Sequence, residues 1–204
     1  MLENLWLVHP HEEMCESFRR RFAGLPGVRV IQGRFENLEP HDCFVTAGNA
    51  FGIMTAGIDA AVIHRLGEPL MERVQFKIMN EYFGEQPVGT AFVIETGSAE
   101  IPFLCHAPTM RVPGPINGTD KVYSATWAAL LAIQAHNQSS SQKIFTAAMP
   151  AMGAGFGGVP HDEAARQMSV AYRHFCDPPH RLDWDFVARR QLAICYDGKQ
   201  QVVK

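Results

Sequence analysis

Apolar residues along the chain follow two alternating rhythms: short continuous runs that mark buried strands, and three-to-four-residue spacings that mark one-sided helices. Residues 5–8 (LWLV) form the first run, stopped by His9-Pro10. Met14, Phe18 and Phe22 then recur at four-residue spacing, giving a helix over 11–23 one apolar face. Gly24 and Pro26-Gly27 close it; residues 28–31 (VRVI) predict the next strand and 43–47 the third. Residues 58 to about 82 read as mostly helical, broken near Gly67-Glu68-Pro69. Strand-like runs at 90–95 and 101–107 bracket Thr96-Gly97-Ser98, a hairpin signal. Thr119-Asp120 can cap a long helix in which Val122, Ala125, Ala129, Leu130 and Ile133 share a face. A strand at 143–149 follows. Pro160 then opens a helix to about Phe175, with Asp162 and Glu163 in the first turn, where the helix dipole favours acids. A last strand is predicted at 191–196 (QLAICY).

Strands alternating with helices imply a mainly parallel sheet covered on both faces, and the single hairpin makes it mixed: an α/β protein with a three-layer α/β/α sandwich over residues 1–204, one domain. In such sheets ligands sit beyond the carboxyl ends of the strands. Two glycine-rich segments, TAGNAFGIMTAGID (46–59) and GAGFGG (153–158), each follow a strand and precede a helix, so they are expected at the same edge of the sheet.

Composition narrows the picture. With 204 residues, 47% of them hydrophobic and 19% charged, the chain suits a single core. A formal charge of −3 argues against a nucleic-acid partner held by counterion release, and Arg19, Arg20 and Arg21 fall on the polar side of a predicted helix. No apolar run approaches the roughly 20 residues needed to span a bilayer, and the segment MLENLWLVHPHEEM lacks the features of a signal peptide. The five cysteines form no C-x-x-C pair, which points to a reducing, cytoplasmic setting with no membrane partner. His9-Pro10-His11 comes without a cysteine or acidic triad, so no metal site is expected, and His106 in its apolar run reads as a core histidine making one hydrogen bond.

Gly153, Ala154, Gly155, Phe156, Gly157 and Gly158 lead straight into a helix N-terminus. Glycine permits positive φ and close backbone approach, so successive N–H groups can converge on a phosphate; a mobile, ligand-free loop is the other reading. Phe156, flanked by glycines, has little local cover: it can lie against a sugar or base, or fold back onto the core. Asn49 can orient a hydroxyl and Asp59 can accept its proton or hold a water, although both are also common in turns and first helical turns. The segment 108–118, rich in proline and glycine, is a lid or a passive connection whose single charge, Arg111, could meet a phosphate.

The order VIQGRF (30–35), VTAGNA (45–50), TAGIDAAV (55–62), LCHAPTM (104–110), MPAMGAGFGGVP (149–160) and ICYDGK (194–199) resembles the macro domain family. That resemblance implies ADP-ribose, or an ADP-ribosylated substrate, as the partner. Asn49 would contact the distal ribose, with Gly57 and Ile58 presenting N–H groups to a phosphate. Gly153 to Gly158 would wrap the diphosphate, Phe156 would pack on the distal ribose, and Tyr196 would stack on adenine. Asp59 matches the acid that activates or positions water in hydrolytic branches. No cofactor is implied. The chain departs from the family pattern at three places. Arg34 stands where an acid usually reads adenine, with Glu36 the nearest carboxylate; Thr46 replaces the first asparagine of N-A-A-N; and Met54-Thr55-Ala56 replaces a triple glycine. Three functions remain open: an ADP-ribosyl hydrolase using Asp59 and Asn49, a non-catalytic sensor of ADP-ribose or a related NAD-derived nucleotide, and a structural or assembly protein with a degenerate pocket.

Overall fold

In the computed structural model, which describes residues 2–198, strands β1 (Asn4–His9), β2 (Val28–Gln32), β3 (Cys43–Thr46), β4 (Phe92–Glu95), β5 (Phe103–His106) and β6 (Thr146–Pro150) share one sheet. Its order is β2-β1-β6-β3-β5-β4. All neighbours are parallel except β4, which turns back antiparallel to β5 at the edge. Side-chain alternation divides the core. Leu5, Leu7, Cys43 and Val45 point to one face, packed by α1 (Glu12–Arg21), α4 (Lys121–Ser139) and α5 (His161–Cys176). Val8, Phe44 and Leu104 point to the other, covered by α2 (Gly57–Leu66) and α3 (Pro69–Glu81). The result is the three-layer mixed α/β/α sandwich that the alternation of elements implied.

Local chemistry sets the boundaries. The helical stretch breaks where Gly67, at φ 93°, ends α2 and Pro69 starts α3 with its fixed φ and dispensable N–H. The strand expected at 143–149 begins only at Thr146, because the Lys143 ammonium donates to the carbonyls of Asn137 and Ser140 and closes the end of α4 instead.

One predicted element is wrong. Residues 191–196 are not a strand; α6 (Trp184–Ile194) runs through most of them and a 3-10 turn, Tyr196–Gly198, follows. A short apolar run does not distinguish a strand from a helix segment. The helix is set by Asp183, whose carboxylate accepts the Phe186 N–H at 2.8 Å, and by Arg166, which donates to the carbonyls of Ala193 (2.6 Å) and Cys195 (2.8 Å) at its far end.

Candidate functional site

At the carboxyl edge of the sheet the turns after β2, β1, β6, β3 and β5 enclose a cleft of roughly 720 Å³. Both glycine segments belong to it, and they touch. A Cβ built on Gly57, which sits at φ 58° as the first residue of α2, would lie 3.4 Å from the ring of Phe156. The two turns are therefore neighbours across one cleft. Phe156 is 60% exposed and covers Gly57 rather than entering the core.

The turn after β6 is built around backbone. Gly153 has φ 72°, and a side chain there would come within 2.7 Å of Val122; one on Gly157 would overlap the Gly153 carbonyl. Ala154 N–H donates to Ala151 and Gly158 N–H to Gly155, which closes the turn on itself, and neither Ala154 nor Gly158 lines the cleft. Gly153, Gly155, Phe156 and Gly157 do line it. The N–H groups of Gly155, Phe156 and Gly157 have no acceptor among the described residues. Three successive unpaired amides at a cleft wall make a nest for an anion. A second set faces the same space: α2 has no side-chain cap at Ala56, so the N–H groups of Gly57, Ile58 and Asp59 are open at its positive dipole end.

The turn after β3 is built around side chains. Asp59 lines the cleft at 6% exposure and accepts a hydrogen bond from the Thr46 hydroxyl at the end of β3. Burial raises its carboxyl from 3.8 to about 6, and the Thr46 bond pulls partly the other way. Asn49 is less available. Its Oδ1 accepts the N–H groups of Phe51 (3.1 Å) and Ile53 (3.3 Å), and its Nδ2 donates to the Ile53 carbonyl at 2.8 Å. One amide hydrogen is left for a ligand. Gly48 is fixed by what lies beneath it: a Cβ there would overlap the imidazole of His106. His106 is fully buried, bonds the Gln86 side chain through Nδ1 at 2.6 Å and stacks on Phe92, and burial lowers its pKa to about 4. It is a neutral structural wedge.

The segment 108–118 is a wall of the cleft. Asn49 bridges to Met110, the Ile116 N–H donates to the Gly157 carbonyl at 2.8 Å, and Val112 and Pro113 face the space. Arg111 turns away to Glu85 at 2.6 Å and does not line the cleft. At the opposite end stand His9, Pro10, Arg34 and Glu36. The His9 ring lies 5.3 Å from His11 and 5.7 Å from His161. No group of three or more His, Cys, Asp or Glu side chains arranged to hold a metal occurs among the described residues.

Tyr196 is not in the cleft lining. The 3-10 turn that carries it is tied to Glu163 of α5 through the Asp197 N–H, and the mistaken strand explains the misplacement. Conversely, sequence reasoning missed the Thr46–Asp59 bond. Thirteen residues separate the pair, and nothing in a single sequence joins them.

A family model described as Macro domain matches residues 45–168. An uncharacterised protein of Aquifex aeolicus is 34% identical over 149 residues, 72% of this chain and 82% of its own length. One from Aeropyrum pernix is 33% identical over 130 residues, covering 64% of this chain and 62% of its own. Among solved structures, the macrodomain of Mycobacterium tuberculosis DarG superposes with a TM-score of 0.58 at 19% identity, over 70% of this chain and 87% of that one. A glycine-to-valine mutant of the Oceanobacillus iheyensis macrodomain, solved with ADPR, gives 0.58 at 21% identity, over 85% and 79%.

Proposed function

The chain belongs to the macro domain family, and from that premise we propose that its cleft binds ADP-ribose or a closely related NAD-derived nucleotide and hydrolyses the bond at the distal ribose. The observation that carries this reading is the meeting of two sets of unpaired backbone N–H groups, at Gly155–Gly157 and Gly57–Asp59, around one buried carboxylate. The amides supply fixed positive dipoles for a diphosphate without any reorganisation. Phe156, exposed and lying over Gly57, offers an aromatic face to the sugar beside it.

Asp59 then acts on water. Thr46 occupies Oδ1, which leaves Oδ2 to accept a proton from a water aimed at the anomeric carbon. The water oxygen bonds to that carbon, the carbon–oxygen bond to the ester breaks with its electron pair leaving on the carboxylate, and the water proton passes to Asp59. A carboxyl near pH 6 is ionised at neutral pH yet basic enough for this task.

Calorimetry with ADP-ribose and a release assay on ADP-ribosylated protein test the reading together. Asp59→Asn should keep binding within a few-fold and lose turnover by roughly a hundredfold or more, while Gly155→Glu should abolish binding. Retained turnover in Asp59→Asn overturns the hydrolytic assignment. One observation favours a non-catalytic sensor instead: Asn49, the second group suited to orient the ribose, is committed to its own turn. The sensor reading predicts binding without release from wild type. A degenerate assembly protein would show no heat with ADP-ribose at all.

A further inference from the structure

The strand order is a ruler across the cleft. Turns after β2, β1, β6 and β3 lie side by side along the sheet edge. At about 4.8 Å per strand, the β2 turn and the β3 turn are roughly 14 Å apart. The inference rests on the proposed function: if the middle turn, after β6, holds a diphosphate and the β3 turn holds the distal sugar beside Asp59, the nucleoside is left for the turns after β2 and β1. The polar side chains lining that end are His9, Arg34 and Glu36.

Arg34 is exposed, and its side chain has no hydrogen-bond or ion-pair partner among the described residues; neither has the Glu36 carboxylate. Among the described residues, Arg34 is the one Lys or Arg lining the cleft. A guanidinium carries only donors. His9 adds another: its Nδ1 accepts the His11 N–H at 3.2 Å, so the neutral ring carries its proton on Nε2. Two of the three polar groups at this end therefore seek acceptors. Adenine presents its N7 acceptor beside an amino donor at position 6, whereas a 6-oxopurine presents two acceptors, O6 and N7, which an arginine reads in bidentate fashion. A phosphate on the proximal ribose offers the same match.

We propose that the nucleoside end of the cleft selects ligands presenting acceptor oxygens to Arg34, through a 6-oxopurine base or a phosphate on the proximal ribose, over the 6-aminopurine of unmodified ADP-ribose. Glu36, two residues on, separates the two sources. Its carboxylate accepts the ring N–H and amino group of guanine but repels a phosphate.

Isothermal titration of the full chain with ADP-ribose, guanosine diphosphate ribose and 2′-phospho-ADP-ribose tests this. Wild type should bind one of the latter two about tenfold tighter than ADP-ribose, and Arg34→Ala should erase that advantage. In Glu36→Gln, a guanine advantage should shrink and a phosphate advantage should grow. The inference is overturned if ADP-ribose binds tightest, or if the preference survives Arg34→Ala. If none of the three binds wild type, the proposed function fails as well. If wild type binds ADP-ribose but prefers neither of the other two, only the selectivity fails.

Discussion

The two turns that form the cleft solve the same placement problem in opposite ways. After β6, glycines hold the backbone so that three amides stay unpaired among the described residues at the wall, and the side chains contribute one exposed ring. After β3, nearly every polar side chain is spoken for: Thr46 bonds Asp59, Asn49 ties its own turn, and Gly48 lies flat on His106. The first turn presents a fixed row of backbone amides to an anion. The second fixes a single carboxylate at a single point. The contrast identifies which glycines are spatially required and which side chains are electrostatically tuned, and substitutions can separate the two.

A large effect is expected at Gly48. A methyl there must displace the fully buried His106 ring or the backbone above it, so Gly48→Ala should cost about 2–3 kcal/mol. A Cβ on Gly155 meets nothing within 4 Å, so Gly155→Ala should cost under about 0.5 kcal/mol. Chemical denaturation of both variants measures the difference. Equal losses would mean that His106 does not wedge the β3 turn.

Next comes the carboxylate. Asp59 has a folded value of about 6 against an ordinary 3.8, so the native state holds its proton more tightly than the unfolded chain. Stability is therefore greatest below about pH 4 as far as this group is concerned, and falls as pH rises through 6, by about 3 kcal/mol in all. Asp59→Asn should abolish that slope and be the more stable protein at pH 8, even as it loses the proposed turnover. A mutant less stable than wild type at pH 8 would show that ionised Asp59 is better satisfied than its burial suggests.

Thr46 tests the same site more gently. Thr46→Val keeps the shape and removes the hydrogen bond that favours the ionised form, so Asp59 should titrate about one unit higher. Carbon-13 carboxyl NMR across pH 4–9 reads that shift directly. Thr46→Ser should restore it. If the titration is unmoved in Thr46→Val, the hydroxyl is only a packing group.

The sequence made most of this architecture legible because the signals were local. A continuous apolar run marked β1, four-residue apolar spacing marked α1, two strand-like runs around Thr96-Gly97-Ser98 marked the hairpin, and Gly67-Glu68-Pro69 announced the break between α2 and α3. Glycine clustering after two strands placed both turns at one edge, since every parallel strand delivers its carboxyl end to the same side. What stayed hidden depended on tertiary contact. The Thr46–Asp59 bond pairs two side chains thirteen residues apart, the His106 ring lies beneath a backbone at Gly48, and Asn49 spends its amide on the backbone of its own turn, none of which the apolar spacing encodes. The segment 191–196 failed for a related reason: its apolar run fits a strand or a helix equally, and the deciding contacts come from Asp183 and from Arg166 on another helix.

That segment supplies the smallest expected effect. Tyr196 follows α6, outside the cleft lining, on a turn held by Glu163 rather than at a strand end. A base stacked on it would be worth roughly 1–3 kcal/mol, or up to about a hundredfold in affinity. Tyr196→Ala should instead change nucleotide affinity by less than twofold, while Phe156→Ala, on the cleft wall, should weaken it about tenfold. The two variants measured side by side by calorimetry pit one aromatic against the other. A tenfold loss in Tyr196→Ala would require the turn after α6 to swing over the cleft on binding. An unchanged affinity in Phe156→Ala would remove the ring from the sugar site and leave the backbone amides as the whole of the recognition there.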